Sequence, residues 1–511
     1  MKTIIKLAAA TSLLLNAGCV DLEEHPLGVI APSNFYETEA DALASLVGAY
    51  QAVGNVSLTN LLNISGCVGF TIDSRFTYLM TGETPPSDGI LQGSWSVLYS
   101  GVRRANTTID RVSAMENLEA GTRDRIVAEG KFLRALYHFY LVRTWGEVPL
   151  RVRETDNSNL ALPPASREEI FAQIVTDLEE AIPHLAAFGE LERGRATQGA
   201  GKALLAKVYL HMASAARCAS AGNEGCAPYA VFATEQDAFF QKAKDLSLEV
   251  IEQSGYRLLA NWMDLWGVEH KTNDEFIFAA LAITDDPSAG TSLSHLYTPI
   301  SSPYFPFPSH FGGFSYEFVL SYDRNDIRFT DGMIWDYTDV RNGRYVRWIR
   351  DLDDPTNLYL GNPYFVLTPK KYMDPTAKTF LSGASLPILR MADVYLMYAE
   401  AENELNGPTA EAFAKINAVR TRVNLPPLDL STTPGQDALR DAIIQERLWE
   451  LALEREDWFD LTRTGKLEEK CMNLSLDWAG RDPVGSHPRA RNASHYRLPY
   501  PANEVAVNPN L

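Results

Sequence analysis

A mainly α fold, built from helical hairpins and carrying a loop-rich, partly β region, is what this 511-residue chain predicts. Three observations predict it. Apolar residues recur at helical spacing in long segments of both halves. Short breaks rich in Gly and Pro separate those segments in pairs. Between residues 275 and 380 the helical period disappears, and aromatic, Pro and Gly residues crowd together.

The elements follow in order. Within 31–53, Ser33-Asn34 offer a cap, and Phe35, Ala42, Leu46 and Tyr50 repeat at helical spacing. Residues 55–93 read as irregular, rich in Gly, Thr, Ser and Pro, with Phe70, Phe76 and Tyr78 among them. Trp95, Leu98, Val102, Ala105, Ile109 and Val112 restore a helix, which makes Trp95 a scaffold residue. The next helix, 123–145, buries Ile126, Phe132, Leu136 and Tyr140 on one face and stops at Gly146, with Pro149 close behind. Segments 168–185 and 197–213 make a hairpin, and 238–254 adds a helix ended by Gly255. Phe276 to Ile283 reads as a strand. The block 386–465 then runs LPILRMADVYLMYAEAENELNG, a segment ending INAVRTRVNLPPL, and LRDAIIQERLWELALEREDWFDLTRTG. It predicts three helices, the first carrying Leu389, Val394, Leu396, Met397, Ala401 and Leu405, the last running through Leu451. Helix pairs recurring at roughly 35 to 45 residues are the unit of tetratricopeptide-like scaffolds. The scaffold falls mainly in 95–255 and 386–465, the irregular loops in 55–93 and 275–380.

Charge excludes one class of partner. With 46 Lys and Arg against 65 Asp and Glu, the formal charge is −19, which argues against a nucleic-acid surface. Catalytic signatures are missing: the chain has no HExxH, GxSxG, Walker loop or GxGxxG. His138, His184 and His211 fall on helical segments and read as packing or surface residues. Glu446, Glu450, Glu454 and Glu456 stand beside Arg447 and Arg455, a pattern that predicts ion pairs along one helix, and Trp449 and Trp458 read as scaffold. No cofactor or metal is expected: Asp285-Asp286 and Asp351-Leu352-Asp353-Asp354 could bind calcium, but neither matches an EF-hand loop, and such acidic loops are usually just solvated. No Cys/His spacing fits zinc. Cys218 and Cys226 bracket a small-residue loop that either closes as a disulfide or holds two thiols, and Cys67 and Cys471 read as independent thiols.

The aromatic loops are the best candidate for chemistry. A sugar ring offers an apolar C–H face and a rim of hydroxyls, which a flat aromatic ring and neighbouring polar groups can match. Phe70, Asp73, Arg75 and Tyr78 supply that mixture in the first loop. Tyr304, Phe305, Phe307, Phe311 and Phe314 supply it in the second.

The N-terminus carries its own signal. Lys2 and Lys6 precede a short apolar run, Leu7 to Leu15, too short to span a bilayer. Ala17-Gly18 then precede Cys19, as in a lipoprotein signal in which residues 1–18 are removed and Cys19 is lipidated. Asp21, Glu23 and Glu24 follow. The lipid at Cys19 would be the membrane attachment.

The block 386–465, the segment GRATQGAGKALLAKVYLHMA and the ending YRLPYPANEVAVNPNL together resemble the SusD/RagB family of nutrient-binding outer-membrane lipoproteins, in the family's order. The resemblance implies a single domain over 19–511 that is not an enzyme. It implies a lipid-anchored protein of the outer membrane facing the cell exterior. Such a protein captures oligosaccharide and delivers it to a partner TonB-dependent, SusC-like transporter. The family's ligand site lies in loops apart from the helical repeats, the regions of Phe70–Tyr78 and Tyr304–Phe314 here. Two alternatives remain: the same role with a peptide ligand, and a periplasm-facing helical scaffold that binds protein.

Overall fold

The computed structural model describes residues 35–71, 76–157, 159–299, 301–306, 312–347, 367–471 and 491–511. Its first helix, α1 (Glu39–Tyr50), starts one turn later than Ser33-Asn34 would place it. Thr38 is the cap: its side chain accepts the Asp41 N–H, and the Asp41 carboxylate accepts the Thr38 N–H at 2.8 Å. This reciprocal box satisfies two amides that a helix start otherwise leaves without partners.

Residues expected to be irregular supply a second helix, α2 (Val56–Ser65), capped by Asn55. It is buried on nearly every side, polar residues included. Asn63 donates to Tyr297 Oη and to the Leu453 carbonyl, so its burial is compensated. A helix with no solvent face leaves no amphipathic period to read. The strand β1 (Gly69–Thr71) and a short helix α3 (Thr77–Thr81) follow.

The next helix, α4 (Gly89–Ser113), begins at the cap Asp88, whose Oδ1 accepts the Leu91 N–H at 2.7 Å. This is six residues before Trp95, which lies buried inside the helix. Then come α5 (Ala120–Trp145), α6 (Arg167–Ala181), α7 (Gln198–Ser220) and α8 (Gln236–Gln253). Gly146 ends α5 with φ +85°, a left-handed conformation that favours glycine. A disulfide, Cys218–Cys226, ties the end of α7 to the segment that leads into α8.

The loop-rich region holds short strands: β2 (Phe276–Ala280), β3 (Gly312–Phe314), β4 (Asp336–Thr338) and β5 (Tyr345–Arg347). The sequence places Leu389 on a helix; the structure places it on a strand, β6 (Leu386–Arg390), which pairs antiparallel with β2. Pairing accounts for the difference: Leu389 stands opposite Phe278 and Arg390 opposite Phe276, so the chain stays extended until Met391. The helix α9 (Met391–Asn406) starts directly after, followed by α10 (Ala410–Thr421), α11 (Gln436–Glu450), α12 (Asp457–Arg463) and α13 (Leu467–Cys471). Packing runs from α4 to α5 to α6, from α7 to α8, and from α8 across to α9 and α10, which joins the two halves into one helical scaffold. One buried apolar cluster accordingly extends from Ala42 to Leu498.

The last long helix stops at Glu450 instead of continuing through Leu451. Leu453 and Arg455 take the left-handed conformation, with φ of 61° and 70°. Surrounding contacts fix that turn. Arg455 donates to the Val53 carbonyl at 2.9 Å, the Asn55 carbonyl at 2.8 Å and Thr59 Oγ1 at 2.6 Å.

The predicted ion pairs along α11 do not form. Glu446 and Glu450 are fully buried, and their partners come from other elements. Arg328 reaches Glu446 at 2.7 Å and Glu450 at 2.8 Å; Arg390 and Arg422 each reach Glu450 at 2.6 Å. Burial would raise the Glu450 carboxyl, but Arg422, Arg390 and Arg328 hold it well below the ordinary range. Lys371 and Arg390 hold Glu454 at 2.5 and 2.7 Å, and Arg447 bridges Asp393 and Asp460 at 2.9 and 2.8 Å. A helix enclosed on several sides cannot leave carboxylates unpaired, so arginines from distant segments converge on it.

Candidate functional site

The two aromatic loops of the sequence meet. Strand β1 pairs antiparallel with β3, with Gly69 opposite Phe314, Phe70 opposite Gly313 and Thr71 opposite Gly312. Glycine permits this approach: a Cβ on Gly312 would lie 2.2 Å from the Phe70 carbonyl oxygen. The Phe314 N–H donates to Leu367 O at 2.8 Å, and the Ser315 N–H donates to Val68 O at 2.8 Å. Backbone bonds therefore gather three irregular segments, near residues 68, 314 and 367, into one platform.

The predicted contact residues divide into three groups. Phe70, Phe305 and Phe314 are buried, at 3%, 0% and 2% exposure, and support the platform from beneath. Phe314 packs on Phe318 at 5.4 Å, Phe318 on Tyr322 at 5.2 Å, and Tyr322 stacks on Trp449 of α11 at 5.7 Å. This aromatic ladder fastens the loops to the scaffold, so the candidate rings of Phe70, Phe305 and Phe314 pack inward. Tyr78 is half-buried, and its hydroxyl donates to Asp88, the cap of α4. Tyr304 keeps part of its ring exposed. Asp73, Arg75, Phe307 and Phe311, like Cys19 and Asp351 to Asp354, lie outside the described residues.

The structure adds residues that sequence reasoning passed over. Strands β4 and β5 form a hairpin in which Asp336 pairs with Arg347, Tyr337 with Val346 and Thr338 with Tyr345. Alternation sends Tyr337 inward, 4% exposed, and sends Asp336, Thr338, Tyr345 and Arg347 outward, with Tyr345 at 59%. The Val340 N–H donates to Ser301 O at 2.9 Å, and the Asp374 N–H to Tyr304 O at 2.9 Å, so the hairpin and the Lys370–Asp374 segment stand beside Tyr304. Lys370 Nζ lies 5.9 Å from the Tyr304 ring centre. The Asp336 carboxylate, diagonal to Tyr345 in the hairpin, raises the pKa of the Tyr345 hydroxyl. Burial raises Tyr304 too, with Asp336 adding to the effect. Asp336 thus acts on both tyrosine hydroxyls, and Lys370 stands over the Tyr304 ring. The sequence carried the signal: Asn342-Gly343 between two alternating triplets marks a hairpin.

Other candidates have structural roles. His138 and His211 are buried, and burial pushes His138 down to about 3. Asp285 accepts the N–H groups of Lys378 and Thr379, and Asp286 those of Ser288 and Ala289, as turn caps. Among the described residues no group of His, Cys, Asp and Glu is placed to hold a metal ion, and no helix is long and apolar enough to cross a membrane. A separate groove of about 670 Å³ lies between α1, the turn at Arg193–Arg195 and β2, and none of the predicted contact residues lines it.

A family model described as "SusD family" matches residues 288–511, and one described as "Starch-binding associating with outer membrane" matches residues 58–210. A SusD-like protein of Bacteroides ovatus is 28% identical over 93% of this chain and 85% of its own length. A SusD-like protein of Formosa agariphila is 27% identical over 96% of this chain and 94% of its own. Among solved structures, a laminarin-binding SusD-like protein superposes with a TM-score of 0.69 at 25% identity, covering 91% of this chain and 97% of its own. The two family models match separate halves, and these relatives align along nearly the whole length. The helical scaffold runs through both halves. The chain belongs to the SusD/RagB family.

Proposed function

We propose that this protein is a glycan-binding lipoprotein of the outer membrane, anchored through Cys19 and facing the cell exterior. It captures oligosaccharide and passes it to a TonB-dependent barrel transporter. It binds and does not catalyse. The observation that carries the reading is the outward face of the β4–β5 hairpin beside Tyr304, where Tyr345 is flanked by Asp336, Thr338 and Arg347. An exposed ring covers the C–H face of a sugar at little entropic cost, and the flanking groups hydrogen-bond its hydroxyls. The laminarin-binding relative and the starch-binding description of one family model support a carbohydrate ligand; the same description supports the outer membrane.

Glycan arrays followed by calorimetry on the chain beginning after Cys19 test the ligand, and co-purification from outer membranes tests the transporter. Binding to a glycan class and recovery of a barrel protein are expected. Failure of both would overturn the reading. Binding of basic peptides in place of glycans would favour the peptide alternative, to which the −19 charge is suited. Resistance of the protein to protease on intact cells would favour the periplasm-facing scaffold.

A further inference from the structure

Helices α5, α6, α7 and α12 meet the turn at Ala493–Tyr496 around a pocket of about 210 Å³. It is smaller than the roughly 300–1,000 Å³ that encloses a larger ligand, so it suits a small group. Its charged lining is Arg143, Arg167, Arg463 and Arg497 against a single glutamate, Glu224. In a chain of net charge −19 this is a local reversal of sign.

Carboxylates behind the wall answer only part of that charge. Arg463 is fully engaged: Nε and Nη2 donate to Asp460, and Nη1 and Nη2 donate to Glu400. It lends the pocket its field and no free donor. Arg143 uses Nε on the Phe139 carbonyl at 3.3 Å and Nη1 on Glu456 at 3.2 Å, and its Nη2 has no hydrogen-bond partner among the described residues. The rings of Phe139 and Phe459, 3.9 and 3.8 Å from its Cζ, hold the guanidinium in place. Arg167 lies 4.6 Å from the Tyr229 ring centre. Glu147 Oε1 is 2.9 Å from Arg167 Nε but out of line, so this buried N–H has no hydrogen-bond partner among the described residues.

His211 supplies a further orphan. It is 4% exposed, its Nε2 is 3.0 Å from the Tyr229 hydroxyl, and its buried Nδ1 has no partner among the described residues. Burial keeps the imidazole neutral, and Arg143, Arg463 and Arg167 push the same way. A neutral imidazole carries one N–H. In the tautomer whose Nε2 accepts the Tyr229 hydroxyl, that N–H sits on Nδ1 and calls for an acceptor.

We propose that this pocket binds a small oxyanion, held by Arg143, Arg167 and His211, with the exposed Arg497 at its mouth. Guanidinium N–H groups match the oxygens of a carboxylate, sulfate or phosphate, and all three side chains offer donors only. The shared chemistry admits a free inorganic anion or the carboxylate of an acidic sugar. A bound anion would tie α5, α6 and α7 to the C-terminal turn. The inference is independent of the glycan reading, since none of the residues of the β4–β5 hairpin lines this pocket.

The test titrates the full chain, purified in detergent, with sodium sulfate, sodium phosphate and sodium glucuronate by calorimetry, each against sodium chloride at equal ionic strength. Saturable one-to-one binding of at least one is expected, with a higher melting temperature than in chloride. Binding of glucuronate alone would identify a sugar acid as the ligand; binding of sulfate or phosphate alone would identify a free ion. Arg167→Gln should weaken binding by about tenfold. Arg497→Glu reverses an exposed charge, spares the core and should weaken binding by about fivefold. It decides the matter should melting in chloride show that Arg167→Gln does not fold. No binding beyond chloride by any of the three anions, or binding that neither folded variant weakens, would overturn the proposal.

Discussion

Asp336 and Tyr345 are diagonal neighbours on the outward face of one hairpin, and the carboxylate pushes the pKa of the tyrosine hydroxyl up. The ring itself stays exposed. Tyr345→Ala should lower affinity for the preferred glycan by about tenfold, near 1.4 kcal/mol, and leave thermal stability unchanged. Isothermal calorimetry and a melting curve check this together. Val47→Glu, in the separate groove beside α1, serves as the control and should leave glycan affinity intact.

The β1–β3 pairing makes its own prediction. Gly312→Ala places a methyl group against the Phe70 carbonyl, so the strands must part. A cost of about 1–3 kcal/mol is expected in urea unfolding. Weaker glycan binding should accompany it, because the platform beneath the hairpin shifts. Unchanged stability would mean that the strands are not held at this spacing.

Glu450 is the shared acceptor of Arg328, Arg390 and Arg422, and Trp262 Nε1 donates to it at 3.2 Å. Glu450→Ala leaves three buried guanidiniums short of a counter-charge. A loss of about 3–5 kcal/mol follows, measured by denaturant titration.

Stability should also depend on pH through Asp457. Burial raises its carboxyl to about 7, with the Val68, Trp458 and Cys67 amides opposing the rise and Asp460 adding to it. Oδ1 has no hydrogen-bond partner among the described residues, which suits a protonated acid. In the unfolded chain the group titrates near its ordinary value of 3.8. Between those values the folded state keeps a proton that the unfolded state has lost. The stabilisation is thus complete below 3.8 and is lost as pH rises through about 7. At full extent the effect is on the order of 4 kcal/mol. Urea unfolding at pH 5 and pH 8 should show the wild type losing stability relative to Asp457→Asn, whose amide stays neutral at both.

Periodicity in the sequence was a good guide wherever a helix keeps one wet face. Helices α8 and α10 lie close to their predicted places for that reason. It missed α2, whose Thr59, Asn60 and Asn63 are polar yet buried and so erase the stripe. Glu446 and Glu450 misled in a related way: charge on a helix reads as solvent-facing until the distant arginines that pair with it are known. At the candidate site, the two loops could be singled out by composition, and they do meet. Which rings point outward could not be told, since Phe314 and Tyr345 differ by where the chain turns and not by residue type. Alternation along Asp336-Tyr337-Thr338 was the one local cue that separates them.

The turn at Arg455 has a consequence for timing. Its guanidinium completes the backbone bonding of Val53 and Asn55, residues made hundreds of positions earlier. A chain synthesised from its N-terminus cannot settle those first helices while Arg455 is still to come. Such distant closure makes for high contact order and slow final folding. The nascent front half must wait, unfinished and in need of protection, until nearly the whole polypeptide has arrived.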